Sequence, residues 1–197
     1  MLVRIADAVE DLAAVSALAS LVRPLPTDLL RELATTGSFV AVGFEGDVAV
    51  GASVGFLTPS GLHSYLTVVD PEVRRRGFGT ALKWHQREWA LEAGIGSVTW
   101  TFDPADVACA RLTVSTLGAE VTSYRQGFAA DGTDRCVATW ALRSAPVTQA
   151  WHGVPIERGE ADRRCAAGEE LAEALAAGAH VVDVDADGSY LVRDVVT

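Results

Sequence analysis

Lysine is nearly absent from the 197-residue sequence: Lys83 is the only one, and the remaining cations are arginines. Acidic residues outnumber basic ones by 26 to 16, which gives a formal net charge of −10. A surface of this charge repels nucleic-acid phosphates, so the composition argues against a nucleic-acid partner. Any basic patch must be built from guanidinium groups, which are planar, permanently charged and suited to phosphate.

The sequence also lacks an apolar run of the roughly 18 residues that a membrane span needs. Charges at Arg4 and Asp7 interrupt any signal-peptide core. We therefore expect a cytoplasmic protein with no membrane partner. The three cysteines, Cys109, Cys136 and Cys165, include no CxxC pair, which argues against a disulfide framework and a zinc site. Free thiols, buried or partly buried, are expected instead.

Hydrophobic periodicity and turn residues predict an α+β protein with a mixed, mostly antiparallel central sheet flanked by helices. Strands are predicted at residues 2–5, 39–44, 48–57, 62–69, 97–102, 120–124 and 135–142, and helices at 7–21, 27–33, 81–93 and 105–117. In the strand 62–69, strict alternation predicts that positions 63, 65, 67 and 69 share one face.

The composition becomes more acidic towards the C-terminus. We predict a main domain over residues 1–145 and a small C-terminal extension over residues 146–197. The extension should dock on the main domain, because about 50 residues is near the lower limit for an independent core. It is predicted to contain a helix at 169–177 and a hairpin of strands at 180–185 and 190–195.

This hairpin contains three alternating aspartates, at positions 183, 185 and 187, which superficially copy a calcium-binding loop. No flanking helices are predicted, and Asp194 stands where such a loop usually has a bidentate glutamate. We therefore expect a hairpin and no metal.

The most specific chemical signal is the stretch VVDPEVRRRGFGTALK at residues 68–83. It is a strand end followed by three arginines at 74–76, glycines at 77 and 79, and an amphipathic helix. Glycines let successive backbone N–H groups face an anion, and a helix N-terminus adds about half a positive charge. A pyrophosphate fits this pattern, with Lys83 one helical turn beyond. A plain strand-to-helix loop with solvated arginines is the alternative.

The spacing Arg74-x-x-Gly77-x-Gly79 resembles motif A of the GNAT acyltransferase superfamily, and the element order over residues 2–142 is similar to the GNAT fold. The sequence WTFDP at 100–104, with Leu-Gly-Ala at 117–119, resembles a little-characterised branch that carries a C-terminal extension. The resemblance implies acetyl-CoA or another acyl-CoA as cosubstrate, a small-molecule amine as acceptor and direct attack in a ternary complex. The resemblance also implies a homodimer.

By the same resemblance, backbone groups at the end of the strand 62–69 would bond to pantetheine. One N–H there would polarise the thioester carbonyl. The following loop would hold the pyrophosphate. The implied CoA-binding residues are Thr67, Val68, Val69, Arg74, Arg75, Arg76, Gly77, Phe78, Gly79, Thr80 and Cys109.

Two positions depart from the family pattern. Cys109 stands where an asparagine that contacts pantetheine is common, and Val114 stands where a tyrosine often protonates the leaving thiolate. Ser115, Tyr124 or water could supply that proton instead, since a CoA thiolate is a good leaving group. These departures favour the alternative function, a CoA-binding sensor or assembly module without catalysis.

Three residues are candidates for catalysis. His63 is the first candidate base, because the ordinary pKa of histidine lies near neutral pH. The hydroxyl of Tyr65 could line the acceptor pocket, and Asp103 could contact the substrate ammonium group. Each has a structural alternative: a surface histidine, a packed tyrosine and the N-cap of the next helix. Arg125 or Arg135 could hold an acceptor carboxylate, if the acceptor has one.

Overall fold

The computed structural model describes residues 2–142 and 162–193, with the side chains of 162 and 163 excepted. The chain divides into two compact units, Met1–Val98 and Thr99–Thr197, which are described in turn. The fold is mixed α/β, and its main sheet is mostly antiparallel. The predicted domain boundary at 145/146 lies outside the described residues and stays a prediction.

The first unit begins with four antiparallel strands and three helices. Its elements are β1 (Leu2–Ile5), α1 (Val9–Ala19), α2 (Thr27–Thr35), β2 (Phe39–Glu45), β3 (Val48–Thr58), β4 (Gly61–Val69), a 3-10 turn (Pro71–Val73) and α3 (Phe78–Glu92). β1 pairs antiparallel with β2, β2 with β3, and β3 with β4. The predicted helices and strands are confirmed here, with small shifts at their ends.

The main apolar core of this unit joins α1 and α2 to one face of β2, β3 and β4. Leu12, Val15 and Leu18 recur at helical spacing on α1, so they share the side that faces the sheet. Burial of each such side chain contributes about 1.5–3 kcal/mol. The core therefore fixes β4 against α1, and β4 carries two of the candidate catalytic residues.

β4 contains a β-bulge, so its side chains do not alternate strictly. Its register with β3 shifts between Val54 and Gly55: Leu66 lies opposite Val54, and Ser64 lies opposite Gly55. Tyr65 is the extra residue between them. A bulge of this kind inserts one residue and reverses the facing of the side chains beyond it.

The contacts of β4 show the consequence of the bulge. Ser64 and Thr67 both face α3, although they are an odd number of residues apart: Ser64 accepts a hydrogen bond from Lys83 of α3 at 2.8 Å, and Thr67 shares one with Ser53 at 3.1 Å. Ser53 in turn lies within hydrogen-bond distance of α3. Tyr65 packs instead against the core on the α1 side. The prediction of one common face for positions 63, 65, 67 and 69 is therefore wrong.

The remaining elements lie in the second unit, except that the first two residues of their first strand belong to the first unit. They are β5 (Ser97–Phe102), α4 (Val107–Arg111), a π-helical turn (Leu112–Thr116), β6 (Glu120–Arg125), β7 (Arg135–Ala141), β8 (Asp162–Cys165), α5 (Glu169–Ala176), β9 (His180–Val184) and β10 (Tyr190–Arg193). β6 and β7 pair antiparallel. The predicted helix at 105–117 is shorter and ends in the π-helical turn.

β10 lies between β8 and β9 in a separate three-stranded sheet, antiparallel to both. The predicted β9–β10 hairpin is confirmed, whereas the sequence analysis missed β8. Two hydrogen bonds within the second unit join this segment to earlier residues: the buried Tyr190 hydroxyl donates to the Pro104 carbonyl at 2.8 Å, and the Ser115 hydroxyl donates to Asp183 at 2.6 Å.

Replacement of Tyr190 by phenylalanine should lower the free energy of unfolding by about 1–2 kcal/mol, because the Pro104 carbonyl loses its buried donor. Urea unfolding would measure this loss. Tyr124→Phe is the matched control: its hydroxyl bonds to Asp134, at the edge of an exposed loop, so a smaller loss is expected. Equal stability of the Tyr190→Phe variant and the parent would contradict a stabilising role for this bond.

None of the three cysteines forms a disulfide bond with another: Cys136 and Cys165 are buried and Cys109 is half-buried. Within residues 2–142 and 162–193, every helix is too short or too polar to span a lipid bilayer.

Candidate functional site

The glycine-bearing loop predicted to hold an anion connects β4 to α3. After Val69, the Asp70 carboxylate accepts a hydrogen bond from the Glu72 N–H at 2.9 Å and shapes the 3-10 turn. α3 begins at Phe78, three residues earlier than predicted, because the Phe78 ring is buried beneath the first turn. Phe78, Gly79 and Thr80 therefore form this turn, and their N–H groups have no partner inside the helix.

Gly77 is the N-cap of α3 and has φ +87° and ψ 0°. A glycine N-cap has no side chain to accept a bond from the first turn, so the N–H donors stay open to a ligand. A Cβ at this position would meet no atom within 4 Å. The glycine is therefore needed for its left-handed backbone and not for lack of space, and the space beside it is accessible to an anion.

Arg75 has φ +62° and is the only non-glycine residue with positive φ among the described residues. This conformation costs an L-residue about 1–2 kcal/mol, and such strain is concentrated at ligand-binding segments. The backbone of the loop is thus turned by two left-handed residues, Arg75 and Gly77, immediately before the open helix N-terminus.

The three arginines of the loop have different surroundings. Arg74 is tied back to β4, because its Nε donates to the Val69 carbonyl at 3.2 Å. Arg76 forms a two-point ion pair with Glu45 at the end of β2. No ion pair of Arg75 occurs within the described ranges. Arg75 and the terminal nitrogens of Arg74 are therefore the positive groups most accessible to a phosphate. Arg76 instead stabilises the loop through its ion pair with Glu45.

Lys83 does not add its charge to the loop, although it lies one turn further along α3. Its side chain is 5% exposed, and its ammonium group donates to Ser64 on β4 at 2.8 Å. The loop nevertheless fits a pyrophosphate: open N–H donors, an unobstructed Gly77 and two exposed guanidinium groups occupy one short segment.

His63 lies half-buried on β4, opposite Phe56 of β3. Burial lowers the pKa of its imidazole below the ordinary value of 6.5, and the nearby charge of Lys83 lowers the pKa further. Both causes disfavour the protonated ring. His63 is therefore mainly in its neutral form at neutral pH, which is the form that a general base requires.

Tyr65 contacts Phe56 and Arg23. The contact with Arg23 is not predicted from the sequence. Its ring lies 4.8 Å from the Phe56 ring. Its hydroxyl accepts a hydrogen bond from Arg23 at 2.6 Å, and the Arg23 guanidinium carbon lies 4.9 Å from the ring centroid. Arg23 belongs to the connection between α1 and α2, and no sequence pattern relates this connection to β4.

The predicted pantetheine segment lies at the end of β4. Val68 is buried in the core, the Thr67 hydroxyl bonds to Ser53, and the Val69 carbonyl accepts from Arg74. The Thr67 and Val68 side chains are thus turned inward, so only backbone groups of this segment suit a ligand. The role assigned to them stays a prediction.

The candidates in the second unit have structural roles. The Asp103 carboxylate accepts from the Ala105 N–H at 2.8 Å, which stabilises the turn before α4. The N-cap of α4 is Asp106, which accepts from the Cys109 N–H at 3.0 Å. The structural alternative, in which Asp103 is the N-cap of this helix, is therefore wrong: Asp106 is the N-cap, and Asp103 stabilises the turn before it. Contact of Asp103 with a substrate, and of Cys109 with pantetheine, stay predictions.

The hydroxyls considered as proton donors to the thiolate are each bound to a carboxylate. Ser115 donates to Asp183 at 2.6 Å, and Tyr124 donates to Asp134 at 2.6 Å. Burial and the bond to Asp134 raise the pKa of Tyr124 well above 10, so Tyr124 is a weaker acid than an ordinary tyrosine. Water is left as the simplest proton source among the predicted alternatives.

The alternating aspartates of the C-terminal hairpin have a partner in the same unit. Arg164 of β8 forms ion pairs with Asp185 at 2.5 Å and with Asp187 at 3.4 Å. Of the residues that the structure describes, no group of three or more histidine, cysteine, aspartate or glutamate side chains is arranged to hold a metal ion.

The mixed sheet and the open, arginine-flanked helix N-terminus are typical of proteins that bind phosphate-bearing ligands. Comparison with protein families makes the class specific. The model described as "Acetyltransferase (GNAT) family" matches residues 7–118, more than half of the chain. The chain belongs to this family of acyl-transfer enzymes. None of the curated proteins compared with it matches.

Solved structures share its fold. The ribosomal-protein-S18-alanine N-acetyltransferase from Escherichia coli is 15% identical, with a TM-score of 0.61 over 76% of this chain and 99% of its own. YncA from Salmonella typhimurium, solved with its cofactor acetyl-CoA, is 21% identical, with a TM-score of 0.64 over 76% and 98%. An aminoglycoside 6'-N-acetyltransferase complexed with coenzyme A is 13% identical, with a TM-score of 0.57 over 74% and 99%. The predicted fold class is confirmed.

Proposed function

We propose that this enzyme transfers an acetyl group, or another acyl group, from acyl-CoA to the amine of a small acceptor. The observation that carries the proposal is the first turn of α3, where Gly77 at φ +87° leaves the N–H donors open. CoA carries a pyrophosphate, and helix N-termini with open donors bind such groups. Arg74 and Arg75 lie directly before these donors and supply positive charge.

The residues of the first unit take distinct parts in this reaction. The first turn of α3 and the loop arginines bind the pyrophosphate. Backbone groups of Thr67, Val68 and Val69 bind pantetheine, and one N–H there stabilises negative charge on the acyl oxygen. Bound acyl-CoA supplies an activated thioester. The remaining task of the protein is to hold the acceptor amine and remove its proton.

His63 is the proposed base. A primary amine is protonated at neutral pH and must lose a proton before it can attack. The neutral imidazole accepts that proton, directly or through a water molecule. Tyr65 lines the acceptor pocket, and Asp103 contacts the ammonium form of the acceptor. Water protonates the departing thiolate, because the Ser115 and Tyr124 hydroxyls are bound to carboxylates.

The test is amine-dependent release of free CoA thiol. Purified protein is incubated with acetyl-CoA and members of a panel of small amines, amino acids and short peptides. Thiol release above the rate of hydrolysis with at least one amine is the expected result. Tight CoA binding without turnover across the panel would favour the alternative, a CoA-binding sensor. Turnover with peptides alone would indicate a protein N-terminus or lysine as acceptor.

A homodimer, a cytoplasmic location and a separate C-terminal extension over residues 146–197 stay predictions. Light scattering of the purified protein would decide the first of these directly.

A further inference from the structure

The environment of Arg23 suggests a binding role beyond the base and the CoA loop. Its guanidinium donates to the Tyr65 hydroxyl at 2.6 Å and lies over the ring at 4.9 Å from the centroid. The Arg23 side chain is therefore held in one orientation beside Tyr65, which lies two residues from His63 on β4. It is also exposed, so it remains accessible to a small molecule.

The bond to Tyr65 is not needed to anchor the connection between α1 and α2. That connection is already fixed by the Ser16 hydroxyl, which donates to the Leu25 carbonyl at 2.6 Å, and by the Leu25 side chain, which is buried in the core. Arg23 thus adds a positioned cation to a segment that is anchored without it. A phenol hydroxyl neutralises no charge, so Arg23 keeps its full positive charge.

Three arginines of this acidic chain are paired with carboxylates in the described residues: Arg4 with Asp11, Arg76 with Glu45, and Arg164 with Asp185 and Asp187. No carboxylate pairs with Arg23 in the part of the chain that the structure describes. A guanidinium that is exposed, charged and held by stacking binds a carboxylate with two parallel hydrogen bonds. The group that completes its environment is therefore an anion.

We propose that Arg23 binds a carboxylate of the acceptor, so that the acceptor is an amino acid or a similar amine that carries a carboxylate. The inference rests on the proposed function. An α-amino acid carries its amine next to its carboxylate, so a carboxylate held by Arg23 places the amine near the segment of β4 that holds His63. Arg135, an earlier candidate for this role, instead donates to Thr133 and the Asp134 carbonyl.

The experiment compares acceptors that differ only in the carboxylate. The values of kcat/KM for L-leucine and L-leucinamide are measured with the parent protein and with Arg23→Gln, and the acid-to-amide ratio is compared. We expect the ratio to fall by about 10- to 100-fold in Arg23→Gln, mainly through KM for the acid. Differences in amine basicity between the two acceptors cancel in this comparison. L-Alanine and L-glutamate, each with its α-amide, extend the series.

Arg31→Gln is the matched control, because Arg31 is exposed on α2 and, within residues 2–142 and 162–193, forms no hydrogen bond or ion pair with Tyr65 or β4. Its ratio should equal that of the parent. Arg23→Lys keeps the charge without the two-point geometry and should restore part of the preference. It also keeps the test decisive if Arg23→Gln folds poorly, which urea unfolding will reveal. An unchanged ratio in both Arg23 variants would overturn the inference while the proposed function stands.

Absence of turnover with every amine would instead contradict the proposed function. Calorimetry then decides the inference separately, with CoA-loaded protein titrated with N-acetyl-L-leucine and with its amide. Tighter binding of the acid, lost in Arg23→Gln, supports a carboxylate site. Equal binding of both compounds overturns it.

Discussion

Replacement of Gly77 by valine is expected to weaken CoA binding by about 100-fold or more while the protein stays folded. Gly77 has φ +87°, a conformation that costs a side-chain-bearing residue about 1–2 kcal/mol and a β-branched one more. The helix start will relax away from this geometry, and the N–H groups of the first turn will lose their common direction. The valine side chain will also occupy the open space in which a pyrophosphate would lie.

Gly94 provides a matched control at the other end of α3. It has φ +76°, and a Cβ there would also meet nothing within 4 Å. Gly94→Val should therefore lower the free energy of unfolding by a similar amount, about 1–2 kcal/mol, without any effect on CoA affinity. Isothermal calorimetry with CoA and urea unfolding of both variants separate the two effects. CoA affinity in Gly77→Val equal to that in Gly94→Val would rule out the α3 N-terminus as the pyrophosphate site.

The order and type of most elements could be predicted because their signals are local. Turn residues such as Glu45-Gly46-Asp47 and the helical spacing on α1 act within a few residues. The sequence pattern predicts that α3 starts at residue 81, which is three residues too late, because the two glycines and the arginines are typical of a loop. Burial of Phe78 and the left-handed Gly77 extend the helix to the motif itself.

The bulge in β4 could not be predicted in this way. Tyr65 fits an alternating pattern equally well whether it is inserted or paired, and only the register with β3 decides. The bulge determines which side chains face α3, so an alternation argument assigns Thr67 to the wrong side. The bulge also places Ser64 on the side of β4 that faces α3. Lys83 bonds to Ser64 there and does not reach the phosphate loop.

The side chains that tune the candidate site come from distant parts of the sequence. Glu45 pairs with Arg76, and Arg23 bonds to Tyr65, through contacts created by the packing of whole elements. A single sequence contains no local pattern for such pairs. Motif residues that act through their own backbone, such as Gly77, were predictable, whereas residues that act through a tertiary contact were not.

Substitution of His63 by glutamine should reduce kcat by about 100- to 10,000-fold, the usual contribution of a general base. The pH dependence gives a more specific test. Burial and Lys83 lower the pKa of His63 below 6.5, so in the parent protein the imidazole stays neutral at pH 7. Activity should fall as the pH drops below 6.5 through this lowered pKa. Protonation of the acceptor amine makes activity decline steadily with falling pH in both proteins. Glutamine does not titrate, so only the additional inflection below pH 6.5 should disappear in His63→Gln.

His85→Gln separates catalysis from stability. His85 lies on α3, is half-buried like His63, and burial lowers its pKa as well. Each histidine binds a proton more readily in the unfolded chain, so each makes the folded state less stable as the pH falls below 6.5. Loss of activity through unfolding would therefore be relieved similarly by either substitution. Loss through protonation of the base should be abolished by His63→Gln alone, and an additional inflection below pH 6.5 that persists in this variant would exclude His63 as the base.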